Sequence, residues 1–210
     1  MNISRRGIIA AILGVWVCIT LQIPSAQADE FTDGAQKFIS TLADRVQTSL
    51  LVNNITLKEH QTRFRSLMLD TFDLNGVGKW VLGRYWRRAS RQERQLYLKL
   101  FKEFIIMTYA KRFKAYTNAK LKISDTTSRK TSAFVKSQIT RDRAKPIRII
   151  WRVKYTDGKY QIVDIIVEGV SWIQTQRSEF VSVIRNSGGK VSGLIDALIK
   201  KITFLKSSAS

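Results

Sequence analysis

From residue 31 onward the hydrophobic positions recur first at three- and four-residue steps, then at two, then at three and four again. In the segment 31–51, Phe38, Leu42 and Val46 recur at helical spacing, and in 56–72 Phe64, Leu67, Met68 and Phe72 do the same. Both patterns predict amphipathic helices. A short helical piece over 73–82 is expected to stop at Gly83. The firmest prediction is a helix from Arg91 to the neighbourhood of Tyr116. Ser90 with Glu93 makes a capping box in front of it, each side chain answering a free backbone N–H. Tyr97, Leu100, Phe101, Phe104, Thr108, Arg112 and Tyr116 then give that helix a long, largely aromatic face.

The period next changes to two. Leu121–Ile123 is a short strand candidate, and Ala133, Val135 and Ile139 alternate with polar residues. Ile147, Ile149, Trp151, Val153 and Tyr155 line one face of a third strand, with Arg148, Arg152 and Lys154 on the other. Thr156-Asp157-Gly158-Lys159 is a hairpin turn, because Asp-Gly accepts the positive φ angles of a type I′ turn. The following strand, Tyr160 to Glu168, is apolar on both faces around Asp164, which predicts a covered, central position. Helix resumes after Gly169. Phe180, Val181 and Ile184 form a stripe that stops at Gly188-Gly189, and Val191, Leu194, Ile195, Leu198 and Ile202 form another. The predicted fold class is α+β, with helices packed on a twisted antiparallel four-stranded sheet.

The first residues change what is counted. Arg5 and Arg6 precede an uncharged apolar run, Gly7 to Leu21, and Ala26-Gln27-Ala28 has the small-x-small form of a cleavage site. That is the anatomy of a secretory leader over residues 1–28, removed on export. Residues 29–205 are then expected to form one domain and 206–210 a polar tail. The single cysteine, Cys18, leaves with the leader, so neither disulfides nor thiol chemistry are expected afterwards. The chain carries 36 basic against 16 acidic side chains, a net charge of +20, of which the leader holds only Arg5 and Arg6. Such a surplus points to polyanions. Export argues against nucleic acid as the partner and for anionic headgroups or an acidic docking protein.

Catalytic chemistry is sparse. His60 has no neighbour at metal-ligand spacing, and Gly76-Val77-Gly78 lies between helices rather than after a strand, where a phosphate loop would begin. No G-x-S-x-G elbow is present. Asp164 is the one ionisable residue with two readings: a buried general base, or a structural partner for an arginine or for backbone N–H groups. What the chain does have is bulk. Phe101, Phe104, Tyr109, Phe113 and Tyr116 on the long helix, with Ile149, Trp151, Val153, Ile165 and Val167 on the sheet, can form a packed core or leave a cleft between them.

Phe72-Asp73, Val81-Leu82-Gly83-Arg84-Tyr85-Trp86, the Ser90 box and Phe101-Lys102-Glu103-Phe104 resemble, in order, the MlaC (toluene-tolerance) family of periplasmic phospholipid-binding proteins. Trp151-Arg152-Val153 and the stretch from Tyr160 to Ser171, with its D-x-x-x-E-G-V-S element, are similar to the same family. The resemblance implies a non-enzymatic, monomeric periplasmic shuttle with no cofactor, its sheet and helices enclosing an apolar lipid pocket. The implied partners are a phospholipid, the lipid-binding ring of an inner-membrane ABC transporter, and an outer-membrane lipoprotein complex. By position, Tyr109 corresponds to the pocket mouth and Trp151 and Val170 to its wall. Leu82, Phe104, Phe113 and Ile165 are added from periodicity. Three other readings stand beside this one: a carrier of another lipid such as a hopanoid, a small α+β enzyme using Asp164 as its base, and a structural envelope protein with a filled core.

Overall fold

A computed structural model of the protein describes residues 25–52, 55–113, 119–141 and 144–207; the side chains of 25–28, 57 and 111–113 lie outside that description. So does the apolar run of the expected leader. The helices are α1 (Ser25–Ser49), α2 (Leu57–Thr71), α3 (Leu74–Leu82), α4 (Arg84–Arg88) and α5 (Arg91–Phe113). Strands β1 (Lys120–Arg129), β2 (Ser132–Thr140), β3 (Ile147–Thr156), β4 (Lys159–Val167) and β5 (Val170–Ser171) follow, then helices α6 (Trp172–Asn186) and α7 (Val191–Ser207). The class is α+β, as the alternation of periods predicts.

Local chemistry sets the helix starts. Thr56 Oγ1 accepts the N–H of Glu59 at 3.1 Å, and Asp73 Oδ1 accepts that of Gly76 at 2.8 Å. At α5 the box closes both ways: Ser90 Oγ accepts from Glu93 N at 3.1 Å, and Glu93 Oε2 from Ser90 N at 2.8 Å. Each cap satisfies a donor that the helix itself leaves orphaned. Gly83, between α3 and α4, has φ 56°, and a Cβ there would stand 2.6 Å from the Arg177 guanidinium. Only glycine permits both that conformation and that approach. Asp157 and Gly158 have φ of 52° and 77°, the left-handed pair that the β3–β4 turn calls for.

The sheet runs in the order β1-β2-β3-β4-β5, every pair antiparallel, with register shifts at Ile123/Asp125 and at Arg152/Val153. It has five strands rather than the four expected, because Val170 and Ser171 pair with Val167 and Ile166. The five-residue α4 and two-residue β5 are too short to leave a periodic trace in the sequence. Alternation turns Ala133, Val135 and Ser137 of β2 to one face with Val153, Trp151 and Ile149 of β3, paired in that order across the ladder. Phe72 bridges to Ile162, and Asp73 N donates to Ile162 O at 3.1 Å, tying the α2–α3 junction to β4.

The helix that lies across the inner sheet is α1, packed on β1 and β2. At about 1.5 Å per residue it is long enough to cross several strands. Helix α5, with its aromatic face, packs against α7, α2 and α3 instead. Tyr97, Phe101 and Ile105 are fully buried there. Phe180 of α6 meets Tyr97 and Phe101 edge-on, with centroids 6.3 and 6.1 Å apart. Tyr97 donates its hydroxyl to Gly78 O at 3.0 Å, and burial pushes its phenol far above the ordinary range, so it stays neutral. Most of the α5 stripe is therefore spent on the helical layer.

Candidate functional site

Between α1, α2 and the inner face of the sheet lies a cavity of about 340 Å³, toward the lower end of the ~300–1,000 Å³ found for ligand pockets. Leu42 and Val46 of α1 and Phe64, Leu67 and Met68 of α2 form one wall; Ile149, Trp151 and Ile165 form the other. Ile105 and Tyr109 close it from α5, and Trp172 from the first turn of α6. It reaches the end of the sheet where Leu121, Ile139, Ile147 and Val167 lie, beside Gln47 and Leu51 at the end of α1.

Among the described residues the lining contains no Asp, Glu, Lys, Arg or His. Most of its few polar side-chain groups are engaged within the wall. Trp172 Nε1 donates to Tyr109 Oη at 2.8 Å, their rings edge-on at 79°. Trp151 Nε1 donates to Ser137 Oγ at 2.9 Å. Gln47 Nε2 donates to Ala119 O at 2.6 Å. With these groups answered, the wall presents ring faces and methyl groups to whatever enters. It offers dispersion and burial to an apolar chain and very little to a polar one.

Of the residues singled out in the sequence, Tyr109, Trp151 and Ile165 line this cavity together. Leu82 is fully buried in α3, outside the lining. Phe104 points to Phe180, 5.8 Å between centroids, on the helical side of α5. Val170 is 62% exposed on β5. The side chain of Phe113 lies outside the described residues. The α1 and α2 residues of the wall are absent from that sequence-derived set, although the helical stripes Leu42–Val46 and Phe64–Leu67–Met68–Phe72 contain most of them.

Asp164 sits on the strand next to Ile165 and points the other way. It is 4% exposed; its carboxylate accepts from Ser171 Oγ at 2.6 Å and from Ile173 N at 3.1 Å. Ser171 Oγ in turn accepts the N–H of Gln174. The carboxylate thus fastens β4 to the start of α6, where the helix dipole favours negative charge. This is the structural one of its two readings. His60 is buried in α2 and does not line the cavity.

The family profile described as MlaC protein matches residues 35–200. The chain belongs to the MlaC family. A relative within that family, the intermembrane phospholipid transport system binding protein MlaC of Haemophilus influenzae, is 24% identical over 169 residues, 76% of each chain. A solved structure of a phospholipid-binding protein from Ralstonia solanacearum, in complex with a phospholipid, superposes with a TM-score of 0.74 at 22% identity. It covers 82% of this chain and 98% of that one, a likeness of fold. Among the described residues of this MlaC-family chain, no helix is long and apolar enough to cross a membrane.

Proposed function

We propose that this MlaC-family chain is a periplasmic carrier that holds phospholipid by its acyl chains and shuttles it between the outer membrane and an inner-membrane ABC transporter complex. The observation that carries the reading is the cavity wall: among the described residues it is almost wholly apolar, and the indole N–H groups of Trp151 and Trp172 and the Gln47 amide N–H are bonded within the protein. The names of the two relatives, one a phospholipid transport system's binding protein and one a phospholipid complex, agree with that chemistry. The secretory leader read in residues 1–28 supports export.

A diacyl lipid exposes about 30 methylene-type groups, each costing roughly 0.8 kcal/mol in water. Unassisted crossing of an aqueous gap is therefore negligible, and an apolar cavity offsets most of the cost. The headgroup stays in water, so tails rather than headgroups are recognised. No covalent step is needed. Direction comes from the relative affinities of the docking partners, the transporter's lipid-binding ring and the outer-membrane lipoprotein complex, or from ATP hydrolysis in the transporter.

The test is mass spectrometry of the organic extract of protein purified natively from the periplasm, with denatured protein as control. Stoichiometric phospholipid with mixed headgroups is expected. A hopanoid in its place would keep the carrier and change the cargo. Folded protein without any lipid would end the proposal.

A further inference from the structure

From Leu74 to Lys102 the chain holds eight cations and a single acid, Glu93, and that acid is committed to the α5 capping box. The fold gathers most of these cations on one surface, built from α3, α4, the first turns of α5 and the neighbouring side of α6. Aromatic rings organise them. Arg177 lies 4.8 Å from the ring of Trp80, which is 42% exposed. Lys79 and Arg94 lie over Trp86 at 5.9 and 5.4 Å, and Arg84 and Arg88 over Tyr85 at 5.1 and 5.8 Å. The hydrogen bond from Arg84, with a further one from Arg185, draws the Tyr85 phenol below its ordinary value. Arg87 and Arg91 complete the surface at the α4–α5 junction, where Arg94 Nη2 donates to Arg87 O.

The ion pairs of the described residues are elsewhere: Arg45–Asp70, Arg63–Glu59, Arg65–Glu103, Lys136–Asp125 and Arg148–Glu168. The acids of these pairs lie away from this surface, which keeps a strong positive excess with Glu93 its acid on α5. Its α5 portion lies well away from the cavity, whereas Arg177 shares α6 with Trp172 of the lining. Arg94 and Tyr109 sit near opposite ends of α5, about 22 Å apart along its axis at ~1.5 Å per residue.

We infer that this arginine–tryptophan surface docks the protein on an anionic phospholipid bilayer, whatever fills the cavity. Guanidinium groups match phosphate oxygens with paired N–H donors. An indole that is half apolar and half wet settles at the headgroup level of a membrane. Docked by the Arg94 end of α5, the protein holds Tyr109 at the far end of that helix, away from the bilayer.

Co-sedimentation of the purified protein with vesicles tests this, comparing phosphatidylcholine alone with phosphatidylcholine containing phosphatidylglycerol. Binding to the anionic vesicles is expected, falling as salt rises. Each basic residue near such a surface contributes roughly fivefold to partitioning. The pair Arg87→Glu/Arg91→Glu therefore weakens binding at least about thirtyfold. Both side chains are exposed, and a glutamate at position 91 suits the first turn of α5, so the fold survives. The control pair Lys122→Glu/Lys154→Glu makes the same change in net charge on the sheet face away from α1 and leaves most of the binding intact. Trp80→Ala, which alters no charge, weakens binding several-fold. Equal losses in both charge-reversed pairs would mean that diffuse charge, not this surface, does the binding, and would overturn the inference. So would absence of binding to anionic vesicles, including the case in which the surface proves to hold an acidic protein instead.

Discussion

Asp164→Ala should destabilise the fold sharply and leave lipid binding per folded molecule untouched. The substitution removes an acceptor held at 2.6 Å by Ser171 Oγ and at 3.1 Å by Ile173 N, in a site 4% exposed. Hydrogen bonds to a charged group contribute about 1.5–3 kcal/mol each, and the N–H of Ile173 is left without its acceptor. Loss of the negative charge at the start of α6 adds about 0.3–1 kcal/mol. The contributions overlap, and about 3–5 kcal/mol is expected in total. Asp164→Asn keeps one carbonyl oxygen for Ile173 N and should cost about 1–2 kcal/mol. Urea unfolding followed by circular dichroism measures both. With a slope of ~1–3 kcal/mol per molar urea, the alanine variant's midpoint drops by about 1–5 M. Lipid content is measured on the same folded samples. A midpoint within a few tenths of a molar of the parent would refute the fastening role. A stable variant that had lost its lipid, or a transport defect titrating near neutrality, would return Asp164 to a functional role.

Other consequences follow from the wall, the caps and the ion pairs. Ile139→Asp sets a carboxylate on the half-buried rim of the cavity, where covering it with an acyl chain costs several kcal/mol; co-purified phospholipid should fall at least about tenfold with little change in unfolding midpoint. Ser90→Ala opens the capping box and should cost about 1 kcal/mol, read in calorimetry as a fall of about 2–4 °C in Tm. The Glu168 carboxyl is held below the usual glutamate range, first by the Arg148 backbone N–H and then by its guanidinium. A lowered folded pKa means stability present above the ordinary glutamate pKa and lost as pH falls through the lowered one. Urea midpoints of Glu168→Gln should therefore lie below the parent's at neutral pH and converge with them in acid.

The sequence makes some of this arrangement legible and hides the rest for physical reasons. Ser90 and Glu93, Asp157 and Gly158, and the stripes of α2, α5 and α7 act through neighbours a few residues away, so their spacing alone predicts their structure. The cavity does not work that way. Leu82, Phe101 and Phe104 show the same helical spacing as Leu42, Phe64 and Leu67. The first group packs solidly against helices, while the second faces a gap. Periodicity says which side of a helix is buried; only tertiary placement, with α1 rather than α5 across the sheet, says which buried side stays unfilled. Val170 illustrates the converse. Its motif matches the family in sequence, yet its side chain is turned to solvent on the short fifth strand.

That fifth strand has a bearing on how the protein avoids its own copies. A sheet with one apolar inner face is hazardous wherever its margins are bare, because unpaired backbone groups recruit any extended chain nearby. Here Val170 and Ser171 seal one end of the β4 margin, and the Phe72 bridge and the Asp73 N–H occupy part of the rest. On the opposite margin, β1 presents Lys120 and Lys122 and then kinks at Ile123/Asp125. A chain that folds beside its own copies is thereby guarded against growing into a ribbon of stacked sheets.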